Sequence, residues 1–263
     1  MDYDGVVILN RRQFFGAMPA AMPMAAAAQS TNRTKYYVLE RFFLENGSQP
    51  GRLAEFFSKS LIPAMKKVHN GPVIVMEALA APHMPQVVLI TGVETLEQTR
   101  LVSEAVAAGK EVKAAFDRWE SGEPAYLSEE SMLLEATDYS PEIQVTARPE
   151  GAPRIFELRT YHSPTARQWK LLHERFAGPE IKIFHRLGIH PLFYSSTVFG
   201  PNQPNLTYLI PFESLAAREK AWTAFGADPE WIKVRAESIA KGGQISAVSD
   251  ISLYRAAAYS PIR

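Results

Sequence analysis

Pro85-Gln86-Val87-Val88-Leu89-Ile90 and, 120 positions later, Asn205-Leu206-Thr207-Tyr208-Leu209-Ile210 carry the same run of apolar and β-branched residues that reads as a buried strand. Asp138-Tyr139-Ser140-Pro141 recurs as Ala258-Tyr259-Ser260-Pro261 at the same shift of 120, and Arg41-Phe42-Phe43 lines up with Arg159-Thr160-Tyr161 at a shift of 118. That period is too long for a solenoid unit and suits a duplicated small domain. Residues 144–153, with Ala147, Pro149, Gly151 and Pro153, have the composition of the linker between the copies.

Each copy reads as strand, helix, strand, strand, helix, strand. First strands are expected over residues 36–43 and 155–161, and strand pairs over 73–80 with 86–93 and over 191–199 with 206–212. Pro164 begins a helical stretch in which Trp169, Leu172 and Phe176 fall at i, i+3 and i+7, continued by Ile183, Phe184 and Leu187 and stopped by Gly188; residues 52–69 are its counterpart. Ser214 and Asp228 supply N-caps, the latter followed by Pro229 at the first helical position. Last strands lie over 132–136 and 251–254. This order predicts an α+β fold of two tandem ferredoxin-like (βαββαβ) repeats, residues 35–143 and 154–263. The open sheet face of each repeat needs cover, and packing the two together makes an eight-stranded barrel.

Composition sets limits on function. The chain has 263 residues, with 28 Lys+Arg against 28 Asp+Glu. A neutral chain has no field to concentrate a polyanion, so nucleic acid is not expected as a partner, and small molecules or proteins are. Absence of cysteine removes disulfides, thiolate nucleophiles and cysteine-based metal centres. Neither phosphate-cradling glycine motif occurs, nor G-x-S-x-G, nor His-Glu-x-x-His, and no metal site is expected.

Asn10-Arg11-Arg12-Gln13-Phe14-Phe15, followed by a Gly, Ala, Met and Pro stretch ending Ala26-Ala27-Ala28, reads as a signal peptide over residues 1–28. The Arg11-Arg12 pair resembles the bacterial twin-arginine signal, with Asn10 where Ser or Thr is usual. The resemblance implies export to the periplasm or beyond. Pro19 and Pro23 interrupt the stretch, and a membrane span needs about 20 apolar residues, so no anchor is expected.

Residues 154–261 resemble the NIPSNAP family in Glu157-Leu158-Arg159-Thr160-Tyr161, Asn205-Leu206-Thr207-Tyr208, Phe212-Glu213-Ser214-Leu215-Ala216-Ala217-Arg218-Glu219, Asp228-Pro229-Glu230-Trp231 and Tyr259-Ser260-Pro261. The first copy is a divergent version, with Ala108-Gly109-Lys110-Glu111 where the Asp-Pro-Glu-Trp signal stands in the second. The resemblance implies the dimeric α+β barrel group, which includes haem-degrading and cofactor-free monooxygenases and peroxidases. No reaction is general for NIPSNAP proteins. Duplication lets one chain supply both halves of the barrel, and pairing between two chains as a homodimer is the other arrangement.

Period-2 alternation puts Phe156, Leu158 and Thr160 on one face of the first strand of the second copy and Glu157, Arg159 and Tyr161 on the other. With the apolar face against the helices, Glu157, Arg159 and Tyr161, together with Arg41, would turn into the barrel. Arg159 and Glu157 then read as an ion pair fixing how the sheets meet, or as an anion or carbonyl clamp in which Arg41 joins and Tyr161 and Tyr208 supply hydroxyls. Of six histidines, two or three of His162, His185 and His190 are expected to gather near one barrel end, and His190 with Tyr161 heads the catalytic candidates. Two functions stay open: a binding protein without a cofactor, or an oxygen-using enzyme, haem-linked or cofactor-free.

Overall fold

A computed structural model describes residues 33–143 and 154–263, so the signal-peptide reading of 1–28 and the linker reading of 144–153 fall outside the described residues. The first half runs β1 (Tyr36–Phe43), α1 (Gln49–Phe56), a π-helical turn (Phe57–Leu61), α2 (Ile62–Val68), β2 (Val73–Ala80), β3 (Gln86–Val93), α3 (Leu96–Ala107), α4 (Lys110–Glu120) and β4 (Ser128–Ala136). The second runs β5 (Ile155–His162), α5 (Ala166–Arg175), a π-helical turn (Phe176–Glu180), α6 (Ile181–Arg186), β6 (Phe193–Phe199), β7 (Asn205–Phe212), α7 (Leu215–Ala227), α8 (Pro229–Gly242) and β8 (Val248–Ala256).

The eight strands close into one barrel in the order β1-β3-β2-β8-β5-β7-β6-β4, every neighbour antiparallel. The halves meet at β2–β8 and β4–β6, so a single chain completes the barrel. The barrel is filled with side chains from both halves, among them Tyr37, Leu39, Ile74, Val88, Phe156, Leu158, Phe193 and Leu209. Helices cover the outside of each half and bury a second apolar layer, Leu53, Phe57 and Leu89 in the first and Leu172, Phe176, Phe184 and Ile210 in the second.

This arrangement reverses one expectation. Phe156 and Leu158 point into the barrel, whereas Glu157, Arg159 and Tyr161 face the helices. A buried carboxylate needs donors, and on the helix side Arg218 and Trp222 of α7 join Arg159 in supplying them. The reversal also corrects the spacing of the two halves. β1 and β5 start at Tyr36 and Ile155, β3 and β7 at Gln86 and Asn205, the π-helical turns at Phe57 and Phe176, each pair 119 residues apart. A slip of one residue moves a strand side chain to the opposite face. Arg41 therefore corresponds to Thr160 on the inner face, not to Arg159, whose counterpart is Glu40.

The Tyr-Ser-Pro motifs form a reciprocal clasp. Ser260, at the end of the second half, accepts a hydrogen bond from the Val75 backbone N–H on β2 at 2.9 Å, and Ser140 accepts one from Tyr194 N–H on β6 at 3.0 Å. Each half thus satisfies a backbone donor at the seam of the other. Ser214 and Asp228 cap α7 and α8 as expected, accepting from Ala217 N–H at 3.1 Å and Trp231 N–H at 3.0 Å. The helix read from Pro164 instead starts at Ala166, with Thr165 as N-cap, and the closing strands are longer than the apolar runs 132–136 and 251–254. Among the described residues no helix is long and apolar enough to cross a membrane.

Candidate functional site

The two helix-facing layers share a shape and differ in chemistry. In the first half the outward residues of the sheet include Val38, Phe42, Val75 and Leu89, packed against Phe56, Phe57 and Leu61 of the helices. At the corresponding positions the second half has Glu157, Tyr161, Tyr194 and Tyr208, with Arg175, Phe176 and Glu180 on its helices. Two polar sets are buried there.

The first is built around Glu157, which is fully buried and accepts from Arg159 Nη1 at 2.5 Å, Arg218 Nε at 2.6 Å and Trp222 Nε1 at 2.9 Å. The Arg159 guanidinium lies 4.3 Å from the centroid of the Trp222 ring. Two guanidinium groups and an indole N–H thus compensate one buried carboxylate, while Arg159 Nε is buried with no hydrogen-bond partner among the described residues. The Glu157–Arg159 pair was legible from the strand; Arg218 and Trp222, one helical turn apart on α7, were not assigned to it.

The second set lines a cleft of about 150 Å³ between the sheet and α8, walled by Tyr161, Arg175, Glu180, Trp231, Arg235, Ile239, Gln244, Ile245, Ser246 and Ser249. Glu180 is 1 % exposed and accepts from Arg175 Nε at 2.7 Å. Arg175 in turn donates to Ser238 Oγ at 3.2 Å and stacks 5.0 Å from the Trp231 ring centroid. Burial pushes the Glu180 carboxyl up to about 6, with Arg175 and Arg159 pulling the other way. Burial likewise raises the Tyr161 phenol. Behind it, the hydroxyls of Tyr208 and Tyr194 are buried without a hydrogen-bond partner among the described residues.

Local sequence explains the placement. The π-helical turn ends at Glu180 and contains Gly178 in a non-helical conformation and Pro179, which has no N–H to give to the helical ladder. The same turn in the first half ends at Leu61, so the backbone device is shared and the carboxylate is particular to the second half. Asp228, held by Arg186 at 2.8 Å, caps α8 and fixes Trp231 three residues on.

Of the residues expected from sequence, Tyr161 lines the cleft, Arg159 and Glu157 sit beside it in the first network, and Tyr208 lies behind it. Arg41 is elsewhere, on the inner face, with Nη1 3.1 Å from Met132 Sδ and 3.5 Å from Glu130 Oε2. Two of the three histidines come together: His190 is exposed and stacks on His185 at 5.1 Å, while His162 bonds Asp250 at 2.8 Å. His173 instead is partly buried between Tyr139 and Ser196, and burial lowers it to about 4. Arg175, Glu180 and Arg235 were missed. Glu180 carried a usable signal, since it stands one turn from Phe176 and from Phe184 on an apolar helical stripe.

The lining does not fit haem. It offers no imidazole or thioether, and its one phenol, Tyr161, is held protonated, opposite to the phenolate an iron would take. Among the described residues no group of three His, Cys, Asp or Glu is placed to hold a metal ion.

The NIPSNAP family model matches residues 156–261, nearly the whole second half. Solved structures similar in fold include a provisionally assigned monooxygenase of Fusobacterium nucleatum, 9% identical with a TM-score of 0.56, over 85% of this chain and 93% of that one. Another provisionally assigned monooxygenase, from Lactobacillus acidophilus, is 11% identical with a TM-score of 0.53, over 84% and 93%. A chlorite dismutase of Candidatus Nitrospira defluvii in complex with cyanide is 11% identical with a TM-score of 0.51, over 86% and 92%. At these identities the likeness is one of fold, an α+β arrangement around an antiparallel barrel. No curated protein matches the chain.

Proposed function

We propose that this chain is an exported, NIPSNAP-type binding protein, built as two tandem ferredoxin-like repeats, that holds a small molecule in the cleft between the second sheet and α8. One observation carries the reading: nine-tenths-buried Glu180 and Tyr161 line a cleft at positions where the first half has Leu61 and Phe42 inside an apolar layer. A buried carboxylate carries a desolvation cost that the hydrogen bond from Arg175 offsets in part here, and a ligand that adds a hydrogen bond to it lowers that cost. The divergence of the first half then has a simple sense: it is the scaffold that closes the barrel, and the second half holds the site.

The test is a filled cleft. Ser249 is exposed at the cleft wall, so Ser249→Trp is tolerated by the fold while occupying the space. A panel of single-ring compounds is expected to raise the Tm of the wild-type chain by a few degrees and to leave Ser249→Trp unmoved. Equal shifts in both proteins overturn the assignment.

Export rests on Arg11, Arg12 and the Ala26-Ala27-Ala28 end of the leader. Mass spectrometry of the envelope fraction of a bacterial host is expected to find a mature chain starting near Gln29, and replacement of both arginines by lysine is expected to leave the precursor in the cytoplasm. Full-length chain in the envelope, or transport indifferent to the arginines, contradicts this.

A second reading has one observation of its own. A carboxyl near 6 beside a phenol is the pairing a general base needs at neutral pH, which favours a cofactor-free monooxygenase-type reaction in the same cleft. Oxygen consumption with a ring compound that binds the cleft, abolished by Glu180→Gln, distinguishes it from binding alone.

A further inference from the structure

The charge inside the cleft limits what enters it. Two guanidinium groups, Arg175 and Arg235, face one carboxylate, Glu180. Arg175 is committed to Glu180, Ser238 and the Trp231 ring. Arg235, on α8 between Trp231 and Ile239, is exposed at the rim, and no carboxylate among the described residues lies within ion-pair distance of it. The remaining walls combine Trp231, Ile239 and Ile245 with Gln244, Ser246 and Ser249. A cleft of about 150 Å³ has the volume a single benzene ring needs, with Trp231, Ile239 and Ile245 as its apolar side. Ring-sized space, an aromatic wall and an uncommitted cation at the mouth describe one class of ligand.

We propose that the cleft binds a small aromatic monoanion, with its ring against Trp231 and its charge on Arg235. This rests on the cleft being the binding site. The charge of the layer favours a negative ligand. Glu157 is shared by Arg159 and Arg218, and Glu180 is faced by Arg175 with Arg235 at the rim, so four guanidinium groups stand against the two buried carboxylates. Burial holds Tyr161, Tyr194, Tyr208 and Tyr139 neutral, and His173 behind Tyr139 is neutral as well. An anion on Arg235 therefore offsets an excess of positive charge.

Isothermal titration calorimetry with benzoate tests this, with benzamide as the uncharged isostere. Benzoate is expected to bind at least tenfold more tightly than benzamide. Arg235→Gln is expected to weaken benzoate at least tenfold and to change benzamide much less. Benzamide binding as tightly as benzoate overturns the anion, and benzoate binding indifferent to Arg235→Gln overturns the role of Arg235. If neither compound, nor any ring of the panel, distinguishes wild type from Ser249→Trp, the cleft itself is not the site and the earlier reading fails with this one.

Discussion

Replacing Glu157 by alanine is expected to cost about 3–5 kcal/mol, because it strips one carboxylate from Arg159, Arg218 and Trp222 together and leaves the Arg159 guanidinium buried and unpaired. For a chain of this size, where 1 kcal/mol moves the Tm by about 2–4 °C, the loss is on the order of 10 °C. Arg41→Met, by contrast, breaks a 3.5 Å contact with half-exposed Glu130 and a weak one to Met132 Sδ, and is expected to change stability by less than about 1 kcal/mol. Calorimetry on the two variants checks the pair. An Arg41 effect as large as that of Glu157 would put the organising charge inside the barrel rather than in the helix layer.

Glu180→Gln is expected to stabilise the chain, and only on the alkaline side. The folded carboxyl lies near 6 against an ordinary value of 4.5, so the folded state binds its proton more tightly than the unfolded state does. The protonated form contributes its full stability below pH 4.5, and that contribution is lost as pH rises through 6. Above this window the buried carboxylate costs about 2 kcal/mol, from about 1.4 kcal/mol per pH unit of displacement. Glutamine imitates the protonated group at every pH. Its advantage should be about 2 kcal/mol near pH 8 and should vanish near pH 4.5. Denaturant titrations across that range check the sign. An advantage that grows on acidification would mean that Arg175 wins over burial and that Glu180 is an ordinary ion-pair carboxylate.

These two carboxylates show what was legible in the sequence. Glu157 could be found because a strand has a period of two, and an acid two residues from an arginine on one face has an evident partner. Which face was inward could not be found that way. The barrel interior and the helix layer are both apolar, and the choice between them depends on Arg218 and Trp222, which approach from 60 residues downstream. The same limit explains the spacing. Matching Arg41 to Arg159 by residue type selected 118, whereas the backbone of β1 and β5 fixes 119, and the single residue of difference separates a barrel-lining arginine from one that packs on a helix.

The cleft lay further from reach. Glu180, Arg175 and Arg235 belong to three different helical stretches, and nothing in their local sequence states that the stretches converge on Tyr161. The histidines were misleading for the converse reason. His185, at the end of α6, and His190 are close in sequence and in space, and both are exposed. The element order and the caps at Ser214 and Asp228 were legible because they depend on neighbours within four residues.

The assignment of the site to the second helix layer is tested most directly by a crystal structure of the chain soaked with phenol, a ring without charge. Density for the ring is expected against Trp231, between Tyr161 and Ile239. A ring found instead among Leu39, Phe156 and Leu158 inside the barrel, or beside Leu61 and Met65 in the first half, would contradict it.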